Sequence, residues 1–159
     1  MKCTRCQREA IPGRKLCETC RQTLYTNRKT RMDEWKAAGL CQWCGKSAPL
    51  AGASWCRTCA LKRICTMRFG SGKRWQELGD LLDAQNCQCV YTGIPLMLGV
   101  NASIDHIIPE GKGGDHSIQN LQWVETSINR MKFDMDDSEF RSHLRRVADA
   151  LLAGASSLE

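Results

Sequence analysis

Four Cys-x-x-Cys pairs precede residue 60 of this 159-residue chain, and they constrain its fold more than any other feature. They form two repeats, CTRCQREAIPGRKLCETC from Cys3 and CQWCGKSAPLAGASWCRTC from Cys41. A Cys-x-x-Cys turn presents two thiolates to one ion, and a second such turn completes a tetrahedral zinc site. The repeats therefore predict two closed, structural zinc sites, formed by Cys3, Cys6, Cys17 and Cys20 and by Cys41, Cys44, Cys56 and Cys59.

Other uses of the cysteines bear on this prediction. The spacing alone leaves a cross-braced pairing of the four turns open. Disulfides are disfavoured because the N-terminal MKCTRCQREA lacks the apolar run of a signal peptide, which makes a cytosolic protein the expectation. Of the three remaining cysteines, we expect Cys65 to be a small buried apolar residue, and Cys87 and Cys89 to be free thiols.

The charge is distributed very unevenly along the chain. Residues 1–75 carry 17 Lys and Arg against 4 Asp and Glu, a net of +13, whereas residues 76–159 carry 6 against 13, a net of −7. Two zinc ions with eight thiolates would lower the first value to about +9. This asymmetry favours a basic module that binds a polyanion, such as nucleic acid, over a solvated lysine-rich surface, which usually mixes both signs.

Helices are predicted around and after the two repeats. Leu24, Tyr25, Met32 and Trp35 would share one face of a helix that ends at Gly39, and residues 60–69 form a short basic helix before the breaker Gly-Ser-Gly. The segment WQELGDLLDAQ is typical of an amphipathic helix.

The second half predicts an α+β arrangement. Strands are expected at CQCVYT and SIDHII, followed by a polar turn, a short extended LQWV and a short helix at ETSINRMKF. Asp136 and Glu139 form a capping-box pattern at the start of a last helix that ends at Gly154. Tyr91, Ile94, Leu96 and Trp123 are predicted to fill the core.

The segment DHIIPEGKGG, followed by NLQWV and NRMK, resembles the HNH endonucleases, whose core is a ββα-metal fold. The resemblance implies His106 as general base, Asn120 as the brace of its loop, and Asp105 and Asn129 as ligands of a catalytic metal ion. Asn in place of the last His is a variant also found in the HNH domain of RNA-guided CRISPR nucleases. Many members carry a zinc inside this fold, but Thr92, Glu125 and Ile128 stand here where three of its cysteines would be.

The residue types suit this chemistry without the family name. Imidazole titrates near neutral pH and can activate water for phosphodiester hydrolysis, while a cation must neutralise the charge that develops on the phosphate. The hard oxygens of Asp105 and Asn129 suit Mg²⁺ or Mn²⁺ better than zinc. Because adjacent strand residues face opposite ways, Asp105 and His106 must lie where the hairpin bends or frays.

Nearby polar residues receive smaller roles. Lys112, Arg130 and Lys132 flank the proposed site and are candidate phosphate contacts, with a solvated surface position the alternative. His116 and His143 are interpreted as solvated or DNA-facing. We divide the chain into a double zinc module (1–70), a connecting helix (71–86), an HNH domain (87–135) and a C-terminal helix (136–159).

The sequence thus predicts a metal-dependent endonuclease that nicks double-stranded DNA, with the zinc module gripping the duplex. Size and layout resemble phage or mobile-element enzymes of the homing type, which implies a bacterial or phage-infected cytoplasm. Two alternatives remain: a zinc-module regulator with an inactive HNH part, and an RNA-binding protein.

Overall fold

The computed structural model describes residues 1–155, and the last four residues of the predicted C-terminal segment (136–159) lie outside them. The chain forms two compact units, which divide after Cys56. Our predicted boundary lay near residue 70. The basic segment that begins at Arg57 therefore belongs to the second unit and not to the first.

The first unit consists of cysteine turns and one long helix, α1 (Glu18–Ala37). The helix ends as predicted, because Gly39 adopts a left-handed φ of 67° that terminates helices readily. The four apolar residues predicted to share a face all lie on α1, but the helix buries none of its residues and Tyr25 is 63% exposed. Trp35 instead lies against Gly45, where an added Cβ would come within 2.2 Å of the indole ring.

The second unit begins with α2 (Arg57–Phe69) and α3 (Trp75–Ala84), both predicted from the sequence. Gly79 allows the two helices to approach closely, because its Cβ position lies only 3.1 Å from Leu61. The indole of Trp123, which is fully buried, donates a hydrogen bond to the carbonyl of Leu78 at 2.8 Å. This contact ties α3 to the sheet.

A ββα unit follows, in agreement with the predicted fold class. Strand β1 (Ala102–His106) pairs antiparallel with β2 (Leu121–Glu125), and α4 (Thr126–Lys132) follows β2 directly. Short 3₁₀ turns at Glu110–Lys112 and Ile118–Asn120 lie in the loop between the strands. The loop and α4 thus approach the same end of β1, where the candidate catalytic residues lie.

The predicted strand at residues 87–92 is wrong. Apart from a single bridge between Gln88 and Pro95, this segment is a turn. The amide of Cys89 donates to the carbonyl of Ile94 at 3.0 Å, and Gly93 donates back to Cys89 at 2.9 Å.

The first Cys-x-x-Cys turn of each repeat has a similar pattern of backbone hydrogen bonds. Cys3 donates to Arg8 and accepts from Gln7, and Cys41 donates to Ser47 and accepts from Gly45. The segment from Cys89 is therefore a third turn of this kind, with Thr92 in the place of the second cysteine. Cys89 is buried within it.

The last helix, α5 (Asp137–Ala155), starts with the predicted capping box. The amide of Glu139 donates to Asp136 at 2.9 Å, and the amide of Asp136 donates to the Glu139 carboxylate at 2.8 Å. The helix continues through Gly154, where we predicted its end. Its Phe140 is fully buried and packs edge-on against Tyr91.

The predicted core was right in part. Leu96 and Trp123 are buried and Tyr91 is half-buried, but Ile94 is 45% exposed because it lies on the outer side of the turn at Cys89. Cys65 is fully buried, as expected. Within residues 1–155, no helix combines the length and apolarity needed to cross a bilayer.

Candidate active site and metal centres

Eight cysteines form the two predicted clusters. In each, the four sulfur atoms lie within 4.8 Å of one another, which fits a tetrahedral zinc ion. The clusters are Cys3, Cys6, Cys17 and Cys20, and Cys41, Cys44, Cys56 and Cys59.

Acidity within the first cluster also suits a cation. The backbone amide of Cys17 lowers the pKa of Cys3 to about 6, whereas hydrogen bonding with Cys6 raises the pKa of Cys20 to about 12. The surroundings therefore favour the thiolate form of Cys3 and disfavour the thiolate form of Cys20. A bound divalent cation would favour the thiolate form of all four cysteines, because thiolates are its ligands.

Asp105 and His106 are the last two residues of β1, and both are buried. We expected the hairpin to bend or fray at these two residues, but both are paired with β2, and the bend begins just after them, at residues 107 and 108. Gln122 lies opposite Asp105 in the sheet and donates to its carboxylate at 2.8 Å. The hairpin thus fixes the carboxylate from across the strands.

Asn120 ties the loop that follows His106 to the end of β2. Its carbonyl oxygen accepts from the amide of Ile108 at 2.8 Å, and its Nδ2 donates to the carbonyls of Ile108 and Asp115 at 3.0 and 2.8 Å. Gly114 makes room for this arrangement, because a Cβ there would lie 1.8 Å from the carbonyl oxygen of Ile108. These are the contacts that a bracing residue needs.

Asn129 lies on α4 and is anchored to β1. Its Nδ2 donates to the Ser103 hydroxyl at 2.7 Å and to the carbonyl of Ile104 at 3.1 Å. Both amide hydrogens are therefore used, which leaves Oδ1 as the atom available to a cation. Asn129 and Asp105 together supply the hard oxygens that suit Mg²⁺ or Mn²⁺.

Lys132 differs from our prediction of a phosphate contact. The side chain is fully buried, and its ammonium donates to Asp105 at 3.2 Å and to the carbonyl of His106 at 2.7 Å. An ammonium group enclosed in this way cannot reach a DNA backbone, and Lys132 instead holds the end of β1 in place. The carboxylate of Asp105 keeps further lone pairs, because each oxygen can accept two bonds.

A cavity of about 440 Å³ opens beside these residues. The proposed base and metal ligands line this cavity together with acidic and basic side chains. These lining residues include Arg68, Asp105, His106, Glu110, Asn129 and Arg130. Lys112 has another arrangement, because its ammonium forms an ion pair with Glu139 on α5. His143 also lies on α5, where it is exposed.

His106 has polar partners on both ring nitrogens. Arg68 contacts Nδ1 at 2.7 Å, and His116 Nδ1 lies 2.9 Å from His106 Nε2. A guanidinium only donates, so Nδ1 accepts and the neutral ring carries its proton on Nε2, towards His116. Burial, and then the charge of Arg68, lowers the pKa of His106 below its ordinary value. This lower pKa favours the neutral ring, which is the form that a general base requires.

Glu110 lies close to all three of these groups. It forms an ion pair with Arg68 at 2.9 Å, and its carboxylate oxygens are 3.7 Å from His106 Nδ1 and 3.8 Å from His116 Nε2. His106, Glu110 and His116 could in principle hold a transition metal. The guanidinium of Arg68 already bridges His106 and Glu110, however, and its charge opposes a cation there.

Sequence reasoning missed three of these groups. Arg68 gave no signal, because it is one of several basic residues in α2 and lies 38 positions before His106. His116 was interpreted as solvated or DNA-facing; it is about half exposed, but it also contacts His106 and the edge of Phe69. Glu110 stands four residues after His106 and could have been suspected from that spacing.

Comparison with known proteins agrees with this geometry. Residues 89–135 match the model of a family described as HNH endonuclease. The match begins at the turn of Cys89 and includes β1, β2, α4 and the loop between the strands. No curated protein matches the chain.

Proposed function

We propose, from the HNH endonuclease match of residues 89–135, that this chain is a metal-dependent endonuclease that hydrolyses phosphodiester bonds in double-stranded DNA and nicks one strand at a time. The observation that carries the proposal is the meeting of Asp105, His106 and Asn129 at one cavity. One such site acts on one strand, which is why nicking is expected of a single chain.

Each residue of the site has a distinct task. His106 accepts the proton of the attacking water at Nδ1, and its Nε2–H remains directed to His116. Asn120 holds the loop after His106, so that the ring keeps its orientation. Asp105 and Asn129 would hold Mg²⁺ or Mn²⁺, which when bound supplies positive charge for the scissile phosphate and the leaving oxygen.

The first unit has the task of binding DNA in this proposal. It carries 11 Lys and Arg against 4 Asp and Glu, and its helix α1 presents basic side chains without burying any residue. Zinc ions in the two clusters would hold the cysteine turns in shape, since so short a segment has little core. Arg130 lines the cavity and is proposed as a local phosphate contact.

The test is a supercoiled-plasmid assay with purified protein, with and without Mg²⁺ or Mn²⁺. We expect the wild-type protein to convert supercoiled plasmid to nicked circle only with metal. His106→Ala should lose at least about 100-fold in rate, because a general base contributes on that order. His143→Ala removes an exposed imidazole from α5 and is the matched control.

A regulator with an inactive site is the second candidate, because the basic surface of the first unit requires no chemistry. In that case the wild-type protein would bind DNA in a gel-shift assay but leave the plasmid intact with either metal. Equal nicking by wild-type and His106→Ala proteins would contradict the proposed mechanism. Binding of RNA alone would contradict the proposed substrate.

A further inference from the structure

Arg68 contacts the nitrogen of His106 that is proposed to accept a proton, so it would have to move for the proposed reaction to occur. It comes from α2, outside the residues that match the HNH family, and it lines the same cavity as Asp105 and Asn129. Its guanidinium contacts His106 Nδ1 at 2.7 Å and Glu110 at 2.9 Å. The lone pair that should receive a proton from water is therefore already engaged.

The surroundings explain why this contact is replaceable. The side chain of Arg68 is 42% exposed and that of Glu110 is 50% exposed, so their ion pair gains little in a solvated setting. A phosphodiester carries a full negative charge on two oxygens whose spacing matches the guanidinium fork. A phosphate in the cavity would compete well for Arg68 against a neutral imidazole and a solvated carboxylate.

We propose that Arg68 is the phosphate-binding cation of this site, and that it caps the base in the free protein until a phosphodiester draws it away. The proposal rests on the proposed endonuclease function. Movement of Arg68 to the phosphate frees Nδ1 of His106 for water, and it also places a positive charge beside the group that gains negative charge. Binding of substrate and release of the base are then one event.

The first experiment measures single-turnover nicking of plasmid in Mg²⁺. Arg68→Ala should lower the rate by about 100-fold, the usual effect of removing one preorganised charge from a transition state. Arg68→Lys should retain more activity, because an ammonium keeps the charge but not the fork. Arg146→Ala removes an exposed positive charge from α5 and should leave the rate within about twofold of wild type.

DNA affinity in the absence of metal separates this role from general binding. We expect the dissociation constant of Arg68→Ala to stay within about threefold of wild type, because one phosphate contact among many is lost. Thermal unfolding of both Arg68 variants checks that the fold is intact. A rate for Arg68→Ala that equals or exceeds the wild-type rate would show that Arg68 is only a cap, and would overturn the proposal.

A second measurement does not depend on cleavage. In NMR spectra of the full chain, dimethyl phosphate, a phosphodiester without bases, should shift the side-chain signals of Arg68 and His106 in the wild-type protein. It should leave the His106 signal of Arg68→Ala unchanged. If the wild-type protein shows these shifts but never nicks DNA, the phosphate site stands and the endonuclease proposal fails. If it nicks DNA but the titrations of the two proteins are identical, the role of Arg68 is wrong.

Discussion

At the scale of single residues, the buried pair of Lys132 and Asp105 is the most consequential contact of the site. Both side chains are almost completely enclosed, at 0% and 5% exposure. A buried charge is expensive unless it is paired, and removal of one partner leaves the other uncompensated. Lys132 also donates to the carbonyl of His106, so the same ammonium holds two consecutive residues of β1.

Lys132→Met should therefore lower the free energy of unfolding by about 3–5 kcal/mol, the usual effect of breaking a buried ion pair. Chemical denaturation is the measurement. Lys112→Met removes an exposed ammonium from its pair with Glu139 and should cost less than about 1 kcal/mol. In the double variant with Asp105→Asn the loss should be smaller than in Lys132→Met alone. If Lys132→Met lowered the free energy of unfolding as little as Lys112→Met does, the ion pair of Lys132 and Asp105 would not stabilise the fold.

The same residue shows a limit of sequence reasoning. In NRMK, a lysine two positions after an arginine, near a proposed phosphate site, has the pattern of a DNA contact. Its burial depends on the position of α4 against β1, which is a tertiary relationship. Arg68 and His106 meet for the same kind of reason, across 38 residues. The spacing of Asp105, His106, Asn120 and Asn129 was readable because one short ββα unit holds all four.

At the scale of elements, the loop from residue 107 to Asn120 depends on a close backbone approach. Asn120 holds both polar groups of Ile108, and Gly114 lies directly against the same peptide. A side chain at Gly114 would meet the Ile108 carbonyl at 1.8 Å and Asn120 Nδ2 at 2.8 Å. Backbone atoms cannot move aside as a flexible side chain can, so the loop itself would have to shift.

Gly114→Ala should for this reason lower stability by about 1–3 kcal/mol, the range for overfilling a packed site. Gly111→Ala is the matched control in the same loop, because an added Cβ there meets nothing within 4 Å and φ is not in the left-handed region. We expect its thermal midpoint to stay near that of wild type. Equal midpoints for the two variants would contradict the tight approach.

The helices and the catalytic hairpin were predictable because their signals are local. Glycine at the end of α1, the capping box of α5 and the apolar pattern of α3 each act within a few residues. The turn at Cys89 was missed because Val90, Tyr91 and Thr92 favour strands by residue type. A signal for the turn was present, since Cys-Val-Tyr-Thr-Gly has the form of Cys-Gln-Trp-Cys-Gly at Cys41.

At the scale of the whole molecule, the division after Cys56 changes the balance of charge between the units. Residues 1–56 carry a net of +7, from 11 Lys and Arg against 4 Asp and Glu, and residues 57–159 carry 12 against 13, a net of −1. The charge comparison made from the sequence had counted six basic residues between positions 57 and 75 with the first half of the chain. With α2 included, the second unit, which holds the candidate active site, is nearly neutral, and it would not repel DNA as strongly as a net of −7 implied.

The first unit should still supply most of the salt-dependent affinity for DNA, while the second should contribute a smaller share through α2. Each phosphate neutralised adds roughly 0.9 to the slope of log affinity against log salt. We compare two sets of substitutions in the full chain: Lys15, Lys29 and Lys36 to Gln in the first unit, and Lys62, Lys73 and Arg145 to Gln in the second. All six side chains are exposed, so both sets should fold normally. Fluorescence anisotropy with a labelled duplex at several salt concentrations gives the slopes, and the first set should reduce the slope more. If only the second set reduces it, the second unit binds the duplex, and the basic surface of the first unit serves another partner.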